Sequence, residues 1–341
     1  MRPALPLPPA DEGTRVPGML LIRTDHDDDA WRDVLHRMGE LPGLVTPRPG
    51  DGGLAPTEEE IIPRRLVVVD DLAWRGAAPE EVREALGGDG TWVPDLVLMA
   101  TERTAATPHL RPLRAFRGDG DGDGDVVLFR ITPLQAALAY LVLHLDLDIT
   151  LEYFEEWSPI AAEWEPEEGE DLDEWEAGLP DPVGAYLERL DPVPRYTRPA
   201  QALPLLTQGD TDLIVRTDFS DDAAWETLLE TVYRPGGGGP IDDFGDYIDV
   251  VDDPVFEGAA PEQVMAVLRE WGEVLLIADG DTMRDPGHRV LAVPLEGRIG
   301  CAFRLDPDQV GSMVANLSIG NQDIEDYMDD ETLKAVEGRT W

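Results

Sequence analysis

The chain has 341 residues, with 71 aspartates plus glutamates against 27 lysines plus arginines, a formal charge of −44 and 42% hydrophobic residues. That hydrophobic share can build a core and excludes a wholly disordered chain, and the length suggests about two domains. A charge this negative repels phosphate backbones and anionic membranes, so neither is expected as a partner, and the single cysteine, Cys301, excludes an internal disulfide framework.

Residues 1–17 read as a disordered tail: Met1-Arg2-Pro3-Ala4-Leu5-Pro6-Leu7-Pro8-Pro9 is broken by prolines and lacks the apolar segment of a signal peptide. Leu21-Ile22-Arg23-Thr24-Asp25 then reads as a strand ending in a polar corner. Trp31, Val34, Leu35 and Met38 follow at the i, i+3, i+4, i+7 spacing of an amphipathic helix. Val69-Asp70-Asp71 ends a second strand, Gly76-Ala77-Ala78-Pro79-Glu80 leads into a helix, and Leu96-Val97-Leu98-Met99-Ala100 and Phe129-Arg130-Ile131 are further strands. The Gly-Asp alternation from Gly118 to Asp125 lacks the closing glutamate of an EF-hand and is expected to be a flexible loop. The longest apolar stretch, 134–145, is interrupted by His144 and falls short of the roughly 20 residues a membrane span needs, so a cytoplasmic location is expected.

The second half repeats the first. Ile214-Val215-Arg216-Thr217-Asp218 with Trp225 answers the opening strand and Trp31. Val251-Asp252-Asp253 through Gly258-Ala259-Ala260-Pro261-Glu262 answers the second block. Val274-Leu275-Leu276-Ile277-Ala278 answers the third, and Phe303-Arg304-Leu305-Asp306-Pro307 with Gln309 answers Phe129-Arg130-Ile131-Thr132-Pro133 with Gln135. The offset between matched positions shrinks from 193 to 174, as differences in loop length would make it. Within this copy, 213–216 reads as a strand and Ser220 as the N-cap of a helix bearing Trp225, Leu228, Leu229 and Val232. Strand 247–251 follows, then a helix opened by Pro261 with Val264, Val267, Leu268 and Trp271 on one face. Strands 274–278, 290–295 and 302–305 and a helix from near Pro307 complete the copy. The expected architecture is α/β: two tandem β-α-β-α-β-β-β-α domains, each with a mixed, partly parallel sheet, over residues 18–154 and 211–341.

Residues 155–210 between the copies read as an acidic, proline-containing linker, and residues 131–188 hold no lysine or arginine. Trp157, Trp164 and Trp175 in this stretch either pin the linker to a domain or form an acidic–aromatic docking segment for a basic partner.

Asp218, the pair Asp252 and Asp253, and Asp279 with Asp281 each follow a strand. If those strands are parallel, their carboxyl ends share the edge where open α/β sheets bind ligands. Asp218, Asp252 and Asp253 are the candidate ligands of a divalent cation there, since hard cations take oxygen donors. The competing reading has these acids capping helices and pairing with Arg216 or Arg304. The five histidines show no metal-ligand spacing, His288 answers His109 only approximately, and no phosphate-binding glycine loop or nucleophile elbow follows a strand. Cys301 falls within a predicted strand and reads as core.

Near the C-terminus stands Asn316-Leu317-Ser318-Ile319-Gly320-Asn321-Gln322-Asp323. With Arg216-Thr217-Asp218-Phe219-Ser220-Asp221-Asp222-Ala223-Ala224-Trp225, it makes residues 212–330 resemble a family of small bacterial domains of unknown function. That resemblance reaches residues 19–154 only through the duplication, and it implies domain boundaries without an activity. Asn316, Asn321 and Asp323 either satisfy a helix end or form a small polar site facing the acidic edge. Two function classes stay open. One is a non-enzymatic acidic module binding a basic protein, as an immunity- or antitoxin-like inhibitor or a scaffold, with no cofactor expected. The other is a metal-dependent hydrolase or nucleotide-binding domain using the strand-end acids.

Overall fold

The computed structural model describes residues 2–10, 16–42, 44–45, 62–86, 90–118, 128–145, 151, 195–207, 211–233, 248–269, 272–330 and 332–333. Strand β1 (Gly18–Arg23) is buried at every position, as a strand covered on both faces must be, and its sequence is accordingly an almost continuous apolar run. It pairs in parallel with β3 (Arg65–Val69) and β4 (Leu96–Ala100). Helices α1 (Asp28–Met38) and α2 (Pro79–Leu86) lie in the connections between these strands. Strands β5 (Leu113–Arg117) and β6 (Phe129–Ile131) continue the sheet antiparallel, and the two-residue β2 (Leu44–Val45) extends it beyond β3. The order is β2-β3-β1-β4-β5-β6. Helices α3 (Glu102–Ala106) and α4 (Pro133–Val142) complete the domain.

The second domain repeats this plan with β7 (Asp212–Arg216), α5 (Asp222–Val232), β8 (Ile248–Val251), α6 (Pro261–Met265), β9 (Val274–Ala278), α7 (Gly280–Arg284), β10 (Val290–Pro294), β11 (Phe303–Leu305) and α8 (Pro307–Ser318). Its sheet runs β11-β10-β9-β7-β8, with β8, β7 and β9 parallel and β10 and β11 antiparallel. The expected order of strands and helices is therefore present in both halves. The short helices α3 and α7 are additions, because one turn is too brief to leave a periodic signature.

Three local readings change. The N-cap of α5 is Asp221, whose carboxylate accepts from Ala224 N at 3.0 Å; Ser220 instead bonds to Asp218. Helix α6 ends at Met265, so Val267 and Leu268 are buried in the turn that follows, and Trp271 lies outside the described residues. His288 corresponds to Arg111 and not to His109: both adopt φ +51° in the turn before the fourth core strand. The loop residues 119–125 also lie outside the described residues, as do Trp157, Trp164 and Trp175.

Two segments outside the sheets are held in place. Within the stretch expected to be a disordered tail, residues 2–10 run along the first domain with a tight turn at Pro6, where Leu7 N donates to Leu5 O at 2.8 Å; Leu5 is buried and Arg2 pairs with Glu81 at 3.1 Å. Within the expected linker, residues 195–207 touch both domains. Arg195 donates to His36 O at 3.0 Å and Glu40 N to Tyr196 O at 3.0 Å, while Gln263 Nε2 donates to Thr197 O at 2.6 Å.

The domains pack through α4 and α6. All ten residues of α4 are buried, since α1 covers it from its own domain and α6 from the other. Its counterpart α8 keeps Asp308, Gln309 and Ser312 in solvent. Each large apolar side chain so buried contributes about 1.5–3 kcal/mol. Arg64, 2% exposed, donates to Leu141 O at the end of α4 and at 2.6 Å to Ala266 O at the end of α6. A cation between two helix C-termini meets the negative ends of both dipoles. His144 Nε2 donates across the same seam to Leu268 O.

Candidate functional site

The parallel strands β7, β8 and β9 bring Asp218, Asp252, Asp253 and Asp279 to one edge of the second sheet, as expected. Local geometry closes that edge. Thr217 N continues the pairing to Ala278 O at 3.0 Å, and Gly258 N donates to Thr217 O at 2.8 Å. Gly258 takes φ +71°, a conformation that a side chain at this position would strain.

Beneath the acids lies Arg216, 3% exposed. Its Nε donates to Asp218 O at 3.0 Å, Nη2 to Asp222 Oδ1 at 2.7 Å and Nη1 to Asp252 Oδ1 at 3.3 Å. The guanidinium lies over the rings of Phe219 and Trp225, 4.4 and 5.4 Å from their centroids. Trp225 Nε1 occupies the other oxygen of Asp252 at 3.1 Å. The first domain builds the same node around Arg23, which donates to Asp25 O at 3.1 Å, Asp28 at 2.6 Å and Asp70 at 3.2 Å, with its guanidinium over Trp31.

The other acids are engaged as well. Asp218 Oδ1 accepts from Ser220 Oγ and, at 2.9 Å, from Ser220 N, and these bonds hold its carboxyl below the usual range, with the charges of Arg284 and Arg216 adding to the effect. Asp253 accepts from Val255 N at 3.0 Å, capping the 3₁₀ turn Pro254–Phe256. Asp279 accepts Thr282 N at 2.9 Å and both Nη atoms of Arg304 at 2.9 and 2.7 Å. Burial pushes its carboxyl up, but the Arg304 bond and the α7 cap outweigh that and hold it low. Among the described residues no group of three or more His, Cys, Asp or Glu side chains could hold a metal ion. Of the candidate ligands, Asp218 closes the turn at Ser220, Asp252 pairs with Arg216 and Asp253 caps a 3₁₀ turn.

Asn316, Asn321 and Asp323 are not part of this edge. α8 starts at the carboxyl edge after β11 and runs about 18 Å back toward the opposite one. There Glu325 pairs with Arg298 of the β10–β11 connection. Asn316 donates to Tyr327 Oη at 2.9 Å, Asn321 donates to Asn316 at 2.8 Å, and Tyr327 donates to Gln322 at 2.6 Å. Asp323 N donates to Asp326 Oδ2 at 3.2 Å, within the cap of the 3₁₀ turn Ile324–Tyr327. This network closes the end of α8. Cys301 is buried as expected, but just before β11 and not within a strand. Sequence reasoning named Arg216 and Arg304 as partners of the acids. It missed Arg64 and His144, whose acceptors are main-chain carbonyls and so leave no residue-type signal.

No helix among the described residues is long and apolar enough to cross a membrane. A search of curated proteins finds no match to the chain. A family model described as "Domain of unknown function (DUF6924)" matches residues 18–162 and again residues 211–336, the two domains of the fold. The chain belongs to that domain family and carries it as a tandem pair.

Proposed function

We propose that this chain is a non-enzymatic protein-binding module whose acidic sheet edges dock a basic partner, as an immunity- or antitoxin-like inhibitor or a scaffold does. The observation that supports it is a layering of charge. The cations of each node point inward, with Arg23 and Arg216 side chains 6% and 4% exposed, while Asp28 and Asp222 above them are 82% and 83% exposed. Arginines spent beneath the surface leave its outer carboxylate oxygens to face solvent in fixed positions. Such a surface steers a positively charged partner and supplies acceptors for its guanidinium and ammonium groups. The test is capture of partners from the source cell at low and high salt, followed by calorimetry of each captured protein with the purified chain. A basic protein that binds with affinity falling steeply as salt rises supports the reading. Its absence at low salt removes it.

A further inference from the structure

One more block is repeated in the chain, and it lies outside both regions of the family match. Ala4-Leu5-Pro6-Leu7 recurs as Ala202-Leu203-Pro204-Leu205, at an offset of 198 that extends the series running from 193 to 174. The two segments are seated alike. The first leucine is buried in each, Leu5 at 8% and Leu203 at 5% exposed. The flanking alanine and proline are exposed and the second leucine is half-buried. Leu5 belongs to an apolar cluster with Trp74 and Val82, and Leu203 to one containing Phe256 and Val264, the matching residues of the second domain.

The flanks are held at matching places too. Arg2 Nη1 donates to Ala73 O at 2.7 Å, and Gln201 Nε2 donates to Val255 O at 3.3 Å. Ala73 and Val255 are the middle residues of equivalent 3₁₀ turns. Downstream, Trp92 N donates to Pro8 O and Ala10 N to Gly90 O, both at 2.9 Å; in the second domain Leu206 N donates to Val267 O at 2.9 Å and Arg269 N to Leu206 O at 2.8 Å. The pairing is antiparallel at Pro9–Thr91 and parallel at Leu206–Leu268. The leucine anchor is thus common to both sockets while the backbone pairing adapts.

We propose that each domain contains a socket for an Ala-Leu-Pro-Leu segment, filled here in cis. The first domain's socket exchanges its own segment for one from a partner protein that carries an arginine three residues before the anchoring leucine. Prolines restrict the backbone of such a segment, so less entropy is lost when it docks, and main-chain bonds with one side-chain anchor are an established mode of peptide recognition. Glu81 supplies the charge selectivity: it takes Arg2 Nε and Nη2 at 3.3 and 3.1 Å. The second segment is tied from Arg195 onward to both domains and stays in place. This socket is on the α2 side of the fold and is independent of the acidic-edge reading.

The test titrates a fluorescent peptide of residues 2–10 against the full chain and its Leu5→Asp variant, read by anisotropy. Saturable binding to Leu5→Asp, about tenfold or more tighter than to the unmodified chain and abolished by aspartate at the peptide's anchoring leucine, is the expected result. Absence of binding to the folded variant, equal binding by both chains, or equal binding by the altered peptide overturns the proposal. Hydrogen exchange on the unmodified chain covers the case in which Leu5→Asp does not fold. The Ala10 and Trp92 amides then exchange by local opening while β1 and β4 stay protected; exchange only together with β1 overturns it.

Discussion

The guanidinium of Arg64, in the first domain, donates at 2.6 Å to the main-chain carbonyl of Ala266, in the second. The same side chain also caps Leu141 and lies over the ring of Tyr140. Burial lowers its pKa to about 10, so it remains charged at neutral pH. The two domains are therefore joined by a buried cation that bonds to main-chain carbonyls, Ile62 O and two at helix ends, with no carboxylate partner among the described residues.

Replacing Arg64 with methionine keeps much of its volume but strands two buried carbonyls, each at about 1–3 kcal/mol. Arg64→Met should unfold at lower urea, with a loss of about 2–6 kcal/mol in total. An unchanged midpoint would show that the seam does not depend on this residue.

His144 gives a pH signature. Burial first, and the Arg64 charge second, push its imidazole down to about 3, against about 6.5 in an unfolded chain. The folded value lies below the unfolded one. The contribution of the neutral ring is therefore complete above about pH 6.5 and is lost as pH falls toward 3. Its NMR signals should not titrate between about pH 8 and 5, and His144→Gln should flatten the decline in stability across that range. A titration midpoint near 6.5 would contradict this placement.

Much of the fold was legible because its signals are local. The apolar runs of β1, β4, β7 and β9, Pro261 at a helix start and the doubled Asp70-Asp71 and Asp252-Asp253 corners each act within a few residues. The acidic edge was legible for the same reason, since parallel strands place their ends together. The hydrogen bonds across the domain seam were not. Arg64 reaches partners 77 and 202 positions away, and any residue supplies a carbonyl. Of the two readings of Asn316, Asn321 and Asp323, the structure carries the helix end and not the acidic edge, because the length of α8, and not its composition, decides where they arrive.

The Arg216 node predicts a different response. Asp252→Asn removes the charge opposite a buried guanidinium, leaving the exposed Asp222 as its carboxylate partner. A loss of about 1–3 kcal/mol is expected, with a change in near-UV signal from Trp225, whose ring nitrogen donates to Asp252. Asp70→Asn should destabilise the first domain in the same direction.

Magnesium should be silent. Asp218, Asp252 and Asp253 are already committed to Ser220, Arg216 and the Val255 amide. Millimolar magnesium should produce neither heat in calorimetry nor a shift in melting temperature. A saturable heat would revive the metal-dependent reading.

The central claim is that the outward carboxylates dock a basic protein. Asp29 and Asp281 are 87% and 71% exposed and pair with the exposed Arg32 and Arg284, Asp281 also at 3.5 Å with the half-buried Arg304, and both can be reversed to lysine without touching the Arg23 and Arg216 nodes. The decisive measurement is the affinity of a captured partner for the wild-type chain and the Asp29→Lys/Asp281→Lys variant, each at about 50 and 300 mM salt. The account predicts at least about tenfold weaker binding at high salt and a further loss in the variant, at unchanged melting temperature. Affinity indifferent to both salt and charge reversal would contradict it.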